Sequence, residues 1–348
     1  MISQVDRQLF TLWRTHGFAP LGGAGAQPAA PRDGLRIAIV GNCQSFGYAY
    51  GMKLLAPHAQ IDRYALVGRT WADSRWMIKA LKTYDVVFAQ EFYGGLLRDD
   101  ATIDTLRAAL PNLRPIPFVN FFGLHPDTVY ILHPTKPTGF FTGPLGVYNS
   151  GLALFGHLRG MSIAQTAALF SRDVFAHVGY LDIWTSAAEQ FLASAAACGM
   201  DLAPALAGWA RRGNFLYTPN HPKGFVMFDM AKAAMGAARL PMRAIAYDDY
   251  AVDDLVRSTV LPVYPPLAEI YGFQGGELFK KEHYKLSKGT GEFMSLETFL
   301  AESFAAFSRY DPARMRHERV DQWLADDETV RALAVYSAEE MKRRALAR

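Results

Sequence analysis

Cysteine is nearly absent from this chain of 348 residues: Cys43 and Cys198 are the only two. A disulfide scaffold and an all-cysteine metal site are both excluded by that count. An excess of one charge is also lacking. Thirty-six Lys and Arg face 33 Asp and Glu, a formal net charge of +3, too balanced for a dedicated nucleic-acid binder. Long apolar runs are missing as well. The longest stretch without a formal charge, Pro137 to Leu158, holds two prolines and five glycines and makes a poor spanning helix. The first twenty residues carry an early acid and no apolar h-region, so they do not read as a signal peptide. The expected compartment is the reducing cytoplasm, with no membrane span.

Hydrophobic residues make up 50% of the chain, which supplies a core large enough to offset chain entropy. Val5, Leu9, Leu12 and Trp13 share a helical face in a short N-terminal arm. Leu21 to Gly34 follows as a Gly/Ala/Pro linker, so residues 1–34 read as arm and linker. Order then begins with Leu35 to Val40 (LRIAIV), a run short and apolar enough for a buried strand. Further strands are expected at Asp62 to Val67 and Asp85 to Gln90. Arg114 to Val119 is expected at an edge because of Pro115 and Pro117. Helices at Ser45 to Leu55, Asp73 to Lys82 and Asp99 to Leu110 alternate with them. The fold class is therefore α/β: a parallel sheet with flanking helices, an SGNH/Rossmann-like core, followed by a helix-rich C-terminal half. One more strand is expected at Thr128 to His133, helices from Tyr148 to Arg212, and another helix at Phe225 to Ala238. Ser162 with Gln165, and Ser337 with Glu340, have capping-box spacing. The expected domains are a catalytic core over 35–240 and a helical extension over 241–348.

Chemistry concentrates at Gly41-Asn42-Cys43-Gln44, where a strand ends, the chain turns and a helix starts. Backbone N–H groups and the helix dipole at such a turn lower a thiol pKa and favour the thiolate. The geometry is that of a nucleophile elbow with cysteine in place of serine. A buried structural cysteine is the competing reading. A base is available from His221, His125 or His133, each beside a proline. Arg69, Lys136, Arg159, Arg211, Arg212 and Lys223 are basic residues near the expected rim that suit phosphates. Thr138 to Asn149 (TGFFTGPLGVYN), glycine-rich, aromatic and uncharged, fits a loop lining a cleft. G-N-C-Q-S-F-G is neither a dinucleotide fingerprint nor a Walker loop, and no histidine pair has metal-ligand spacing.

IAIVGNCQS, DVVFAQEF, FTGPLGVYNS and TPNHP, in that order, resemble the WcbI-type capsular polysaccharide biosynthesis proteins. The resemblance runs from Arg36 to Ala238, with a further likeness at Val263 to Lys281. It implies a cytoplasmic acetyltransferase that moves an acetyl group from acetyl-CoA to a sugar hydroxyl of a polysaccharide precursor, with coenzyme A as co-substrate and no metal. It implies Cys43 and His221 as a catalytic pair with Gln44 beside them. Gly41, Asn42, Gln90, Arg69, Arg159, Asn220 and Lys223 are then expected around the cofactor. An orienting acid is left open among Glu91, Asp85 and Asp229. Two other functions stay open: an SGNH-like cysteine esterase or thioesterase, and a non-catalytic CoA- or glycan-binding protein.

Overall fold

The computed structural model describes residues 5–7, 34–136, 139–282 and 292–346. Most of the expected N-terminal arm, including Leu9, Leu12 and Trp13, lies outside the described residues, as does the linker up to residue 33. The chain forms two compact units interleaved along the sequence. The first comprises Met1–Val119, Leu192–Ala207 and Pro222–Leu255; the second comprises Asn120–Phe191, Gly208–His221 and Val256–Arg348. Residue 240 thus falls inside the first unit.

The first unit is built on four parallel strands in the order β2-β1-β3-β4. They are β1 (Arg36–Gly41), β2 (Gln60–Ala65), β3 (Val86–Ala89) and β4 (Leu113–Pro115). Every residue of β1 is buried, as a central strand covered on both faces requires. Pro115, with no N–H to give the ladder, ends the edge strand β4. Ala38 and Val40 join Tyr64, Met77, Leu81, Val87 and Leu106 in one core cluster. By the two-residue period, Ile37 and Ile39 face the other side. The Ser45–Leu55 and Gly224–Ala237 helices pack against each other at Gly51, where a Cβ would stand 2.8 Å from the Ala231 Cβ. Val5 is wholly buried in the core cluster of this unit.

The second unit has no counterpart to that sheet among its described residues. The strand expected over Thr128 to His133 is only Thr128–Val129, and it pairs antiparallel with Asn149–Ser150. Residues further on fold back locally: Phe141 N–H donates to the Ile131 carbonyl and His133 N–H to the Gly139 carbonyl. A nearby partner in the glycine-rich loop therefore takes the bonds that a place in the parallel sheet would have needed. Five helices follow between Gly151 and Arg211, of which residues 192–207 of the last two belong to the first unit. The Ser162 capping box forms as expected: Gln165 N–H donates to Ser162 Oγ at 3.2 Å and Ser162 N–H to Gln165 Oε1 at 2.8 Å. Ser162→Ala is expected to cost about 1 kcal/mol in urea denaturation, the usual size of a lost cap. Ser337 caps nothing. It lies inside the Asp327–Leu346 helix, a stretch with no glycine or proline to stop it, and its hydroxyl donates to the Gln165 carbonyl at 2.8 Å. No helix among the described residues is long and apolar enough to cross a membrane.

Candidate functional site

β1 delivers Gly41 to the carboxyl rim of the sheet, where open α/β sheets place their ligands. Gly41 must be glycine, because a Cβ there would meet Gln90 Oε1 at 2.2 Å. The close approach lets Gln90, just beyond β3, accept the Asn42 N–H at 3.0 Å. Asn42 then shapes the turn: its Oδ1 accepts the Gln44 N–H at 2.9 Å, and its carbonyl accepts from Ser45 Oγ at 2.6 Å. Gln44 is fully buried and clamps the segment that follows β4. Its Nε2 donates to the Val119 carbonyl at 2.8 Å, and its Oε1 accepts the Val119 N–H at 2.9 Å. Gln90 Nε2 reaches Gln44 Oε1 at 3.4 Å. Gly41, Asn42, Cys43, Gln44 and Gln90 thus form one continuous assembly in the first unit. In this state the Gln44 and Gln90 amides brace the turn.

Gly41→Ala is expected to force Gln90 off Asn42 and to destabilise the chain by about 1–3 kcal/mol, the cost typical of overpacking. Chemical denaturation of the variant checks it.

Cys43 is half-buried at the apex of the turn. Burial pushes its thiol up to about 11, against the opposing pull of the Cys43 and Gln44 backbone N–H groups. The local donors that the sequence promises are present, yet desolvation outweighs them. The expectation of a ready thiolate is therefore corrected: at neutral pH the free chain holds Cys43 as a thiol. Cys198 is also a free thiol, in the first unit, pushed up to about 11 by burial and then by the nearby Glu91.

His221 belongs to the second unit and is 7% exposed. It follows the Pro219-Asn220 turn after the Leu216–Thr218 strand. Burial holds its imidazole down at about 4, so the ring is neutral at pH 7. Its ring meets that of Tyr148 edge to face, centroids 5.9 Å apart. Tyr148 in turn donates its hydroxyl to Asn220 Oδ1 at 2.8 Å, and Thr218 Oγ1 donates to the same oxygen at 3.0 Å. Sequence reasoning did not single out Tyr148, though it falls inside the cleft loop marked at 138–149. His125 is buried with Nδ1 3.3 Å from the Pro262 carbonyl, and His133 packs edge-on to Tyr310.

The remaining expected residues divide between the two units. Arg69 is exposed in the first unit and pairs with Asp100 at 3.8 Å. Lys223 caps the Gly224–Ala237 helix with its backbone, its carbonyl accepting from Val226. Arg159 is exposed at the end of the Gly151–Leu158 helix in the second unit. Of the acids left open, Glu91 pairs with Arg107 at 2.7 Å. Asp85 accepts the Arg36 N–H at the amino end of β3, a strand length from the rim, and is not an orienting acid for the turn. No group of three or more metal-ligating side chains occurs among the described residues.

A parallel α/β unit with a cysteine turn on its carboxyl rim is an architecture that many enzymes use for group transfer and hydrolysis. The family is more definite. The model of the polysaccharide biosynthesis enzyme WcbI matches residues 36–243, and the chain belongs to that family of enzymes. No curated protein matches. A solved structure of WcbI, a polysaccharide biosynthesis enzyme, aligns with a TM-score of 0.63 and 16% identity, covering 87% of this chain and 99% of its own. That protein is described as native, without a disulfide bond between coenzyme A and one of its cysteines. At this identity the likeness shows the fold.

Proposed function

We propose that the chain is a coenzyme A-dependent acyltransferase that moves an acetyl group from acetyl-CoA to a sugar hydroxyl. The observation that carries the reading is the Gly41–Gln44 turn, braced by Gln90 and Asn42, which holds a thiol at the carboxyl rim. The solved WcbI is described in terms of coenzyme A and a cysteine, and Cys43 is the residue of this chain suited to that place. In the proposed chemistry the Cys43 sulfur attacks the thioester carbonyl. Its proton passes to a base, the CoA thiolate leaves and takes a proton, and the acyl-cysteine forms. A sugar hydroxyl then gives its proton to the base and attacks that carbonyl; the ester forms, and the Cys43 thiolate leaves and takes the proton back. His221, neutral at pH 7, is the proposed base; it and Cys43 lie in different units and are assigned separately.

A second reading is favoured by the high thiol pKa: coenzyme A binding in which Cys43 only lines the site. Both predict that coenzyme A at 100 times its dissociation constant raises stability by about 2.7 kcal/mol. A melting temperature unmoved by saturating coenzyme A sinks both. Loss of acetyl from labelled acetyl-CoA in the presence of a saccharide acceptor, with stoichiometric ester product, separates the first from the second. His221→Ala is expected to slow that transfer by roughly 10²–10⁴-fold, the usual size of a lost general base.

A further inference from the structure

Two large aromatic side chains stand in water on the carboxyl rim of the first unit: Trp71 is 71% exposed and Tyr93 is 77% exposed. Trp71 lies on the connection that leaves β2, and Tyr93 on the one that leaves β3. Both connections rest on the same segment, residues 96–100. Thr70 N–H donates to the Leu96 carbonyl at 2.8 Å, and Arg98 N–H to the Ala72 carbonyl at 2.9 Å. Next to Tyr93, a Cβ on Gly94 would stand 3.3 Å from the Asp100 carbonyl. Arg69 joins the group, its guanidinium 3.4 Å from the Arg98 carbonyl and 3.8 Å from the Asp100 carboxylate. The two connections that carry the rings, and this ion pair, are therefore tied together on the rim.

The backbone under the patch is held on every side. Asp6 accepts the N–H groups of Trp71 and Ala72 at 3.1 and 2.9 Å. The buried Asp73 carboxylate takes Arg98 at 2.8 Å, and Asp99 takes both the N–H and the hydroxyl of Ser74. Asp100 has a φ of +54°, a left-handed conformation that costs a non-glycine residue energy and needs support from its surroundings. A solubilising loop needs none of this bonding. A surface that must present two rings and a polar pair in fixed positions does, because rigidity removes the ordering cost of binding.

We infer that this patch is the acceptor platform: a saccharide ring stacks its apolar C–H face on Trp71 and Tyr93 while its hydroxyls bond to Arg69 and Asp100. Apolar ring faces bordered by planar charged donors and acceptors match a sugar, which is apolar on its faces and polar around its edge. The inference rests on the proposed transfer to a sugar and names the part of the rim that holds it.

The test uses a glycan microarray of bacterial capsular and O-antigen oligosaccharides, with coenzyme A binding measured by calorimetry on the same proteins. Wild-type protein is expected to bind a subset of the array. Trp71→Ala and Tyr93→Ala should each weaken that binding at least tenfold and leave coenzyme A affinity within twofold. Trp71→Phe should restore most of the saccharide binding, which guards against a folding defect. Wild-type protein that binds no glycan overturns the inference, and so do alanine variants that bind as wild type does. A tenfold loss of coenzyme A affinity in Trp71→Ala would assign the ring to the adenine base. A change in sedimentation mass with unaltered glycan binding would assign it to a second copy of the chain. Either result overturns the platform. The wild type keeps the two ideas apart: if it transfers no acetyl but its glycan binding still depends on Trp71, the transferase reading fails and the platform stands.

Discussion

Cys43→Ala is expected to lower acetyl transfer by roughly 10⁴–10⁶-fold, the scale on which loss of a covalent nucleophile acts, while coenzyme A still binds. The size follows from what the side chain does in the proposed reaction, since no other described residue of the turn offers a nucleophilic atom. With the thiol at about 11, roughly one molecule in 10⁴ carries a thiolate at pH 7. Attack must then be coupled to removal of the thiol proton by a base.

With His221 as the proposed base, the pH dependence follows. A thiol and a neutral imidazole coexist between about 4, where His221 takes a proton, and about 11, where Cys43 loses one. Transfer is expected to be flat across the neutral range, with no acid limb near the ordinary histidine value. A pre-formed thiolate would instead give a rate that climbs with pH up to its own pKa. Iodoacetamide gives an independent check. Native Cys43 should label slowly at pH 7 and about tenfold faster for each unit of pH above that, read by mass spectrometry to separate it from Cys198. Labelling at pH 7 faster than free cysteine would overturn the protonated-thiol assignment. A loss below tenfold in Cys43→Ala would move the cysteine from nucleophile to site lining.

The sheet was legible because its evidence is local. LRIAIV and DVVFAQ are too short for helices and too apolar for an exposed strand, so burial on both faces is what remains. The turn was legible for the same reason: a glycine after such a run marks a strand end. What stayed hidden depends on residues far apart in sequence. Gln44 binds Val119, 75 positions away, and nothing in either residue announces the pairing. The thiol of Cys43 illustrates the limit most directly. The helix start beside it and the N–H groups that lower its pKa are written in seven consecutive residues. The burial that raises it comes from the packed unit, and burial wins. Ser337 shows the converse: S-x-x-E spacing is a start signal only where the preceding residues are not already helical, and here they are.

Asp127 carries the other large expected effect, in the second unit, and no sequence pattern pointed to it. Its carboxylate is enclosed, with Oδ1 accepting the Leu152 N–H at 2.9 Å and the Tyr180 hydroxyl at 3.0 Å. The Arg319 guanidinium lies over the Tyr180 ring and donates to the Pro126 carbonyl. Burial pushes Asp127 up to about 6, with the bonds from Ser150, Leu152 and Tyr180 and the charge of Arg319 pulling the other way. The folded value thus lies above the ordinary carboxyl value of 3.8. The contribution of this group to stability is fully present below about pH 4, where both states hold the proton. It is lost as pH rises through 6, where the folded state must ionise a buried acid. The difference amounts to about 3 kcal/mol. Asp127→Asn keeps acceptors for Leu152 and Tyr180 and removes the ionisation, so the gap between variant and wild type should shift by that amount in the variant's favour between pH 4 and pH 7. Asp127→Ala leaves the Leu152 N–H and the Tyr180 hydroxyl without their acceptor and is expected to cost about 3–5 kcal/mol at pH 4.5, a cost that shrinks by about 2–3 kcal/mol toward pH 7.5 as the wild type ionises its buried acid. Urea unfolding of the three proteins at pH 4.5, 6 and 7.5 reads both effects. A pH profile for Asp127→Asn parallel to that of the wild type would mean that the carboxyl does not titrate in this window.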